Sequence, residues 1–109
     1  MKKVYLDNAA TTAVDPRVRK AMRPYFSVKY GNPSSVHSFG QAAAQAVGIA
    51  RRQVADFLGA KQEEIIFTSG ATEGNNTVIK TVPNILKKEQ GRDHIITAAI
   101  EHPCVLDSV

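Results

Sequence analysis

The stretch IIFTSGATEG at residues 65–74 decides the fold class, because an apolar run ends there and a helical pattern follows it. Residues 65–68 combine isoleucine, phenylalanine and threonine, which is typical of a short buried strand. Small residues then form a turn, and a helix is predicted over residues 72–80. A strand, a turn and a helix in this order favour an α/β protein with a parallel sheet.

The second half of the chain repeats this alternation. Pro83 is expected to interrupt the helix, so that a second short helix is predicted over residues 84–89. Residues 94–98, HIITA, predict another strand, and a further helix begins at Cys104. Two strands cannot form a sheet of this kind, so we expect the rest of the sheet to lie outside these 109 residues.

Two helices are predicted in the first half. Asp15 and Pro16 form a typical helix start, because the aspartate can cap the helix and proline suits the first helical position. Pro24 should end or bend this helix. The longest helix is predicted over residues 38–58, where apolar residues recur on one face, and Gly59 is expected to cap its end.

Composition narrows the class of protein. The chain has 109 residues, 43% of them hydrophobic, a net charge of +4 and one cysteine. A single cysteine excludes an internal disulfide and favours a reducing compartment, so the expected location is the cytoplasm. No apolar run approaches the roughly 20 residues needed to span a bilayer, so no membrane association is expected. The basic residues are scattered and tryptophan is absent, which argues against direct nucleic-acid binding.

The turn after residues 65–68 is the first candidate site. Gly70 and Ala71 would let the backbone approach a ligand, and the first N–H groups of the following helix would have no partner within the helix. These groups, with the hydroxyl of Thr72, could bind a phosphate. The alternative is an ordinary helix start capped by Thr72. The segment has neither the Walker A spacing nor the GxGxxG spacing of known phosphate-binding loops.

His102 is the second candidate, because it follows the second predicted strand, at the edge where open α/β sheets bind ligands. It could stack on an aromatic ligand or transfer protons, and the alternative is a histidine that bonds the loop backbone. His37 and His94 are interpreted as structural, and no metal site is predicted. Cys104 is interpreted as a small, buried apolar residue.

Four segments together resemble one known family. They are YLDNAATT at 5–12, YGNPSSVH at 30–37, IIFTSGATE at 65–73 and Glu101-His102. Their order and spacing resemble the NifS/IscS-like cysteine desulfurases, which are pyridoxal-phosphate (PLP) enzymes of the class V aminotransferase group. The resemblance covers essentially the whole chain. It implies the amino-terminal part of a type I PLP-dependent transferase fold, aspartate-aminotransferase-like and incomplete in this chain.

The resemblance also assigns regions and residues. Residues 1–14 would form an arm of the small domain at the edge of the active site, and residues 15–109 would begin the large PLP-binding domain. Ala71 and Thr72 would hold the cofactor phosphate, and His102 would lie over the pyridine ring and assist proton transfers. The side facing the substrate would include Asn8 and Asn32.

The implied reaction removes sulfur from L-cysteine and gives alanine and an enzyme persulfide. The sulfur would pass to an iron–sulfur scaffold or to another acceptor, such as a tRNA-thiolation enzyme, and the complete protein would be a homodimer. The lysine that binds PLP and the persulfide cysteine are expected outside this sequence, and Cys104 is not assigned the persulfide role. Two alternatives stay open, which are another class V enzyme and a non-catalytic phosphate-binding or regulatory fragment.

Overall fold

The computed structural model describes residues 3–109, which divide into two compact units. The first unit ends at Ile65 and the second comprises Ile66–Val109. The first contains helix α1 (Pro16–Met22), a 3₁₀ turn (Arg23–Phe26), helix α2 (Ser38–Leu58) and a second 3₁₀ turn (Gln62–Glu64). The second contains helices α3 (Ala71–Gln90) and α4 (Pro103–Leu106).

The start of α1 confirms the prediction made from Asp15 and Pro16. The Asp15 carboxylate accepts a hydrogen bond of 2.7 Å from the backbone N–H of Arg17, and Pro16 occupies the first helical position. The Arg17 side chain also pairs with Asp15 at 2.9 Å. The α-helix ends at Met22, and Pro24 lies in the 3₁₀ turn that follows, so proline tightens this segment as expected.

Helix α2 has the predicted bounds, and both of its ends are capped. The His37 ring accepts a hydrogen bond of 3.4 Å from the N–H of Gly40 through Nδ1, which gives this histidine the structural role expected of it. At the other end Gly59 has a φ of 65°, a left-handed conformation that glycine adopts without strain. Local sequence therefore determines this helix from end to end.

The loop before α2 packs tightly on the first turn of that helix, and backbone atoms of the two segments lie in close contact. A Cβ atom added to Gly31 would collide with the carbonyl of Phe39. One added to Gly40 would collide with the carbonyl of Ser35 and lie 2.8 Å from that of Asn32. These two glycines allow the loop that carries Asn32 to lie directly on the first turn of α2.

Helix α3 differs from the prediction, because it continues through Pro83 as one helix to Gln90. The predicted break and the separate helix over residues 84–89 are therefore wrong. Proline removes one backbone donor but tolerates helical φ, and good helix formers follow it at residues 86–90, LKKEQ. The Asn84 side chain also donates to the carbonyl of Lys80 at 2.6 Å. Gly91 ends the helix in the left-handed conformation, with a φ of 67°.

The two segments predicted as strands form no sheet between residues 3 and 109. Ile65 has extended backbone angles, φ −96° and ψ 119°, but residues 65–68 have no ladder of backbone hydrogen bonds to another strand. Residues 94–98 likewise have no regular secondary structure. A strand needs a neighbour to become part of a sheet. The helical half of the α/β prediction is observed here, and the sheet stays a prediction.

Few side chains are buried within the two units. Among residues 3–109, Ala55 is the only hydrophobic residue that is buried, with 1% of its surface exposed. Large apolar side chains on every helix are at least partly exposed, and Phe57 on α2 is 87% exposed. No helix in the described part of the chain is long and apolar enough to cross a membrane.

Candidate active site

The turn that leads into α3 is held by a single carboxylate. The Glu73 Oε2 atom accepts two hydrogen bonds of 2.6 Å, from the backbone N–H and from the hydroxyl of Ser69. The Thr68 hydroxyl donates to the carbonyl of Gly70 at 3.2 Å. These contacts fix the two residues that precede the helix. The bonds from the Ser69 hydroxyl, as the main cause, and from the Ser69 backbone N–H lower the pKa of Glu73.

Helix α3 begins without a capping side chain. Gly70 is its N-cap, and the first bond within the helix runs from the N–H of Gly74 to the Gly70 carbonyl. The alternative in which Thr72 caps the helix is therefore wrong, because Thr72 is its second residue. Since glycine offers no capping oxygen, the N–H groups of Ala71 and Thr72 are left for another acceptor.

The surroundings of this helix end fit an anionic group. A Cβ atom placed on Gly70 would meet no atom of the described residues within 4 Å, so the space beside the turn is open. Ala71 and Thr72 are both exposed. The positive end of the helix dipole adds a favourable field for a negative charge, worth about 0.3–1 kcal/mol at an exposed site. The structure therefore leaves these N–H groups and the Thr72 hydroxyl accessible to an anion, and phosphate binding by Ala71 and Thr72 stays a prediction.

His102 is the N-cap of the short helix α4. Its Nδ1 atom accepts a hydrogen bond of 3.2 Å from the backbone N–H of Cys104. In the neutral ring the proton therefore lies on Nε2. The ring is exposed, so the Nε2 edge is accessible. His102 therefore bonds the loop backbone, which was the alternative role predicted for it. This bond uses Nδ1 and leaves Nε2 available.

A side-chain contact links the two candidate segments of the second unit. The Asn75 amide, one turn into α3, donates to the Cys104 sulfur at 3.1 Å. Cys104 is half-buried, close to the buried position expected for it. The structure thus brings the helix end with Ala71 and Thr72 into one compact unit with His102.

The two asparagines predicted on the substrate side lie in the other unit. Asn8 is exposed in a turn near the start of the chain. The Asn32 side chain accepts a hydrogen bond of 3.0 Å from the N–H of Ser34, which stabilises the loop before α2. The described residues contain no cluster of three or more possible metal ligands.

A groove of about 510 Å³ in the first unit contains none of the predicted site residues. It lies along α2, and aromatic side chains form much of its wall, among them Tyr25, Tyr30 and Phe39. Tyr30 and Phe39 contact each other with ring centroids 5.7 Å apart. The candidate site is therefore an open helix end rather than this apolar groove.

Comparison with known proteins decides the family. The model of the family described as aminotransferase class-V matches residues 4–108. The chain belongs to the aminotransferase class-V family. Membership explains why four short motifs occur in one order along so short a chain, and the resemblance inferred from them is confirmed.

Relatives within the class-V family carry more specific names. A protein of Trachipleistophora hominis named mitosomal cysteine desulfurase is 56% identical over 108 residues, which are 98% of this chain and 24% of that protein. A Rickettsia massiliae protein named cysteine desulfurase IscS is 53% identical over 106 residues, 96% of this chain and 25% of that protein. The chain thus spans about a quarter of the length of these relatives.

A solved structure gives the same family assignment. A NifS-like protein matches 98% of this chain with a TM-score of 0.86 and 44% sequence identity, and the match covers 29% of that structure. The backbone described above therefore has the conformation of part of a class-V family protein.

One residue of this candidate site was not predicted from the sequence. Glu73 was quoted in a motif, yet no role was predicted for it. A usable signal was present, because a serine followed by an acidic residue at a helix start often forms reciprocal caps. Here the separation from Ser69 to Glu73 is four residues rather than three, and the bond goes to the residue before the N-cap.

Proposed function

We propose that this chain is the amino-terminal part of a cysteine desulfurase, which removes sulfur from L-cysteine and gives alanine and an enzyme persulfide. The observation that carries the proposal is the uncapped start of α3, in one unit with an exposed histidine. The names of the most similar relatives support the same reaction. Pyridoxal phosphate, when bound, would supply the electron sink that carbon–sulfur cleavage requires.

The residues of α3 would bind the cofactor phosphate. The N–H groups of Ala71 and Thr72 point out of the first turn, and the Thr72 side chain adds a hydroxyl donor. Hydrogen bonds to a charged group are stronger than neutral ones, by roughly a factor of two. Three such donors would therefore orient the phosphate as well as hold it.

His102 would move a proton at the site. Because Nδ1 accepts the bond from Cys104, the neutral ring donates through Nε2, and a proton released there is replaced without turning the ring. The same ring would stack on the cofactor, the role that the family resemblance implies for it. Asn8 and Asn32 are proposed to face the substrate.

The remaining functional groups are proposed to lie in segments other than this chain. They are the lysine that binds the cofactor, the persulfide cysteine, and the groups that pair with the pyridine nitrogen and the substrate carboxylate. We assign residues 1–14 to an arm at the active-site edge and residues 15–109 to the start of the large domain. The assembled enzyme is proposed to be a homodimer that passes sulfur to an iron–sulfur scaffold or a similar acceptor protein in the cytoplasm.

Replacement of His102 tests the proposed reaction. In the assembled enzyme, His102→Ala should lower cysteine turnover by at least about 100-fold, the usual contribution of a proton-transfer group. Retention of bound PLP would show that the variant is folded. His94→Ala is the matched control, because His94 is exposed and contacts Asp93 at 3.1 Å. Equal loss in both variants, or unchanged turnover in His102→Ala, would contradict the proposed role.

A further inference from the structure

Glu73 presents a conflict between charge and geometry. It lies in the first turn of α3, beside the N–H groups proposed to bind a dianionic phosphate. A carboxylate there should repel the phosphate, since two negative charges in proximity raise each other's free energy. Yet its Oε2 atom faces Ser69 and accepts one hydrogen bond from the backbone N–H and one from the hydroxyl of that residue.

The bonds to Ser69 have a specific consequence for the turn. Without them the Ser69 N–H and hydroxyl would be free to turn toward other acceptors, and Ser69 would lose the contacts that fix its position before the helix. With them the chain enters α3 in one conformation. A binding site that is already ordered loses less conformational entropy when its ligand arrives.

We infer that Glu73 is a positioning residue, whose carboxylate holds the Ser69–Gly70 turn so that the N–H groups of Ala71 and Thr72 are in place before the cofactor phosphate binds. This inference rests on the proposed function and adds to it a residue that does not contact the cofactor. Removal of the negative charge of Glu73 is therefore expected to weaken phosphate binding, although charge repulsion alone would predict the opposite.

The test measures dissociation constants in the assembled enzyme stripped of cofactor, with PLP and with pyridoxal, which lacks the phosphate. Glu73→Ala should weaken PLP binding about tenfold, while pyridoxal binding changes less than about twofold. Glu73→Gln keeps an oxygen acceptor for Ser69 and should bind PLP as wild type does. Glu89→Ala removes the same charge from the exposed far end of α3 and serves as the control.

Ser69→Ala provides a second route to the same answer. It removes one of the two donors, so a smaller loss of PLP affinity is expected. The double variant with Glu73→Ala should be no weaker than Glu73→Ala alone, because the two residues act through one contact. Additive losses would contradict the inference.

The outcomes separate this inference from the proposed function. If wild type binds PLP more tightly than pyridoxal but Glu73→Ala binds PLP equally well or better, charge repulsion dominates and the positioning role is wrong. Equal weakening of PLP and pyridoxal would mean a general loss of structure and would also overturn it. If wild type does not distinguish the two ligands, the phosphate site itself is wrong.

Discussion

Two glycines of α2 show that the same residue type can be required or dispensable. Gly40 lies against the carbonyls of Ser35 and Asn32, where an added Cβ atom has no room. Gly48, two turns further on, would place a Cβ atom within 4 Å of none of the described atoms. The first glycine is required by a backbone contact, whereas the second only weakens the helix.

Alanine substitutions at these positions should have opposite effects. Gly40→Ala should lower the free energy of unfolding by about 1–3 kcal/mol, the usual cost of overpacking. Gly48→Ala should raise it by about 0.5–1 kcal/mol, because alanine has the higher helix propensity. Urea unfolding followed by circular dichroism measures both, and each variant serves as the control for the other. A stabilising Gly40→Ala would mean that the loop is not packed as described.

Asp15 should make the stability of α1 depend on pH. The hydrogen bond from the Arg17 side chain, supported by the Arg17 backbone N–H, lowers the pKa of this carboxyl in the folded state. Its contribution is therefore fully present above the unfolded-state pKa of about 3.9 and is lost as the pH falls through the folded value. Asparagine also caps helices well, so Asp15→Asn should keep the helix and remove this pH dependence.

An NMR titration of the Arg17 amide proton would measure the effect. In wild type its chemical shift should follow the protonation of Asp15 with a midpoint below the ordinary aspartate value. In Asp15→Asn that titration should disappear. A midpoint at or above the ordinary value would show that the capping contact is absent in solution.

At the scale of elements, Pro83 is the position where a rule based on local sequence predicted a helix break that does not occur. Within α3 it leaves the carbonyl of Ile79 without the N–H donor that any other residue would supply. Pro83→Ala should restore that bond and raise the free energy of unfolding by about 2 kcal/mol, somewhat less than the full helix penalty of proline because the unfolded chain also gains freedom. Lys80→Ala, one turn earlier, should change it by a few tenths of a kcal/mol.

Hydrogen exchange would show whether this stabilisation is local. The amides that follow position 83 in α3 should exchange more slowly in Pro83→Ala, while those of α2 should not change. A lower stability in Pro83→Ala would mean that the proline ring makes packing contacts that alanine cannot replace.

The elements that the sequence predicts correctly are those that adjacent residues determine. Asp15, Pro16 and Gly59 mark helix ends because their effects act within one turn of the backbone. The two strands could not be tested in the same way, since a strand depends on a neighbour that is distant in sequence. Pro83 was predicted to interrupt the helix because proline carries a large helix penalty, yet the 20-residue helix α3 accommodates it.

The candidate site was predictable to a similar degree. Ala71 and Thr72 follow from the strand–turn–helix pattern, and His102 from its position after the second predicted strand. The family resemblance, rather than spacing, supplied their roles. Glu73 was missed because the spacing from Ser69 is four residues rather than the three of the usual capping pattern.

At the scale of the whole molecule, most apolar surface is not covered within the described units. Ile96 is 97% exposed and Phe57 is 87% exposed, values that are unusual for large aliphatic and aromatic side chains. The chain spans about a quarter of the length of the relatives it matches. We interpret these side chains as parts of a core to which other segments of the proposed enzyme contribute.

The contact of Gly31 and Gly40 with neighbouring carbonyls gives α2 an influence beyond its own stability. Because these atoms are in close contact, a shift or rotation of the helix start would displace the loop that carries Asn32. Under the proposed substrate-facing role of Asn32, substitutions along α2 would alter substrate preference without touching the substrate. An engineer who wishes to alter the reaction of the proposed enzyme could begin with the helix and leave the loop sequence unchanged.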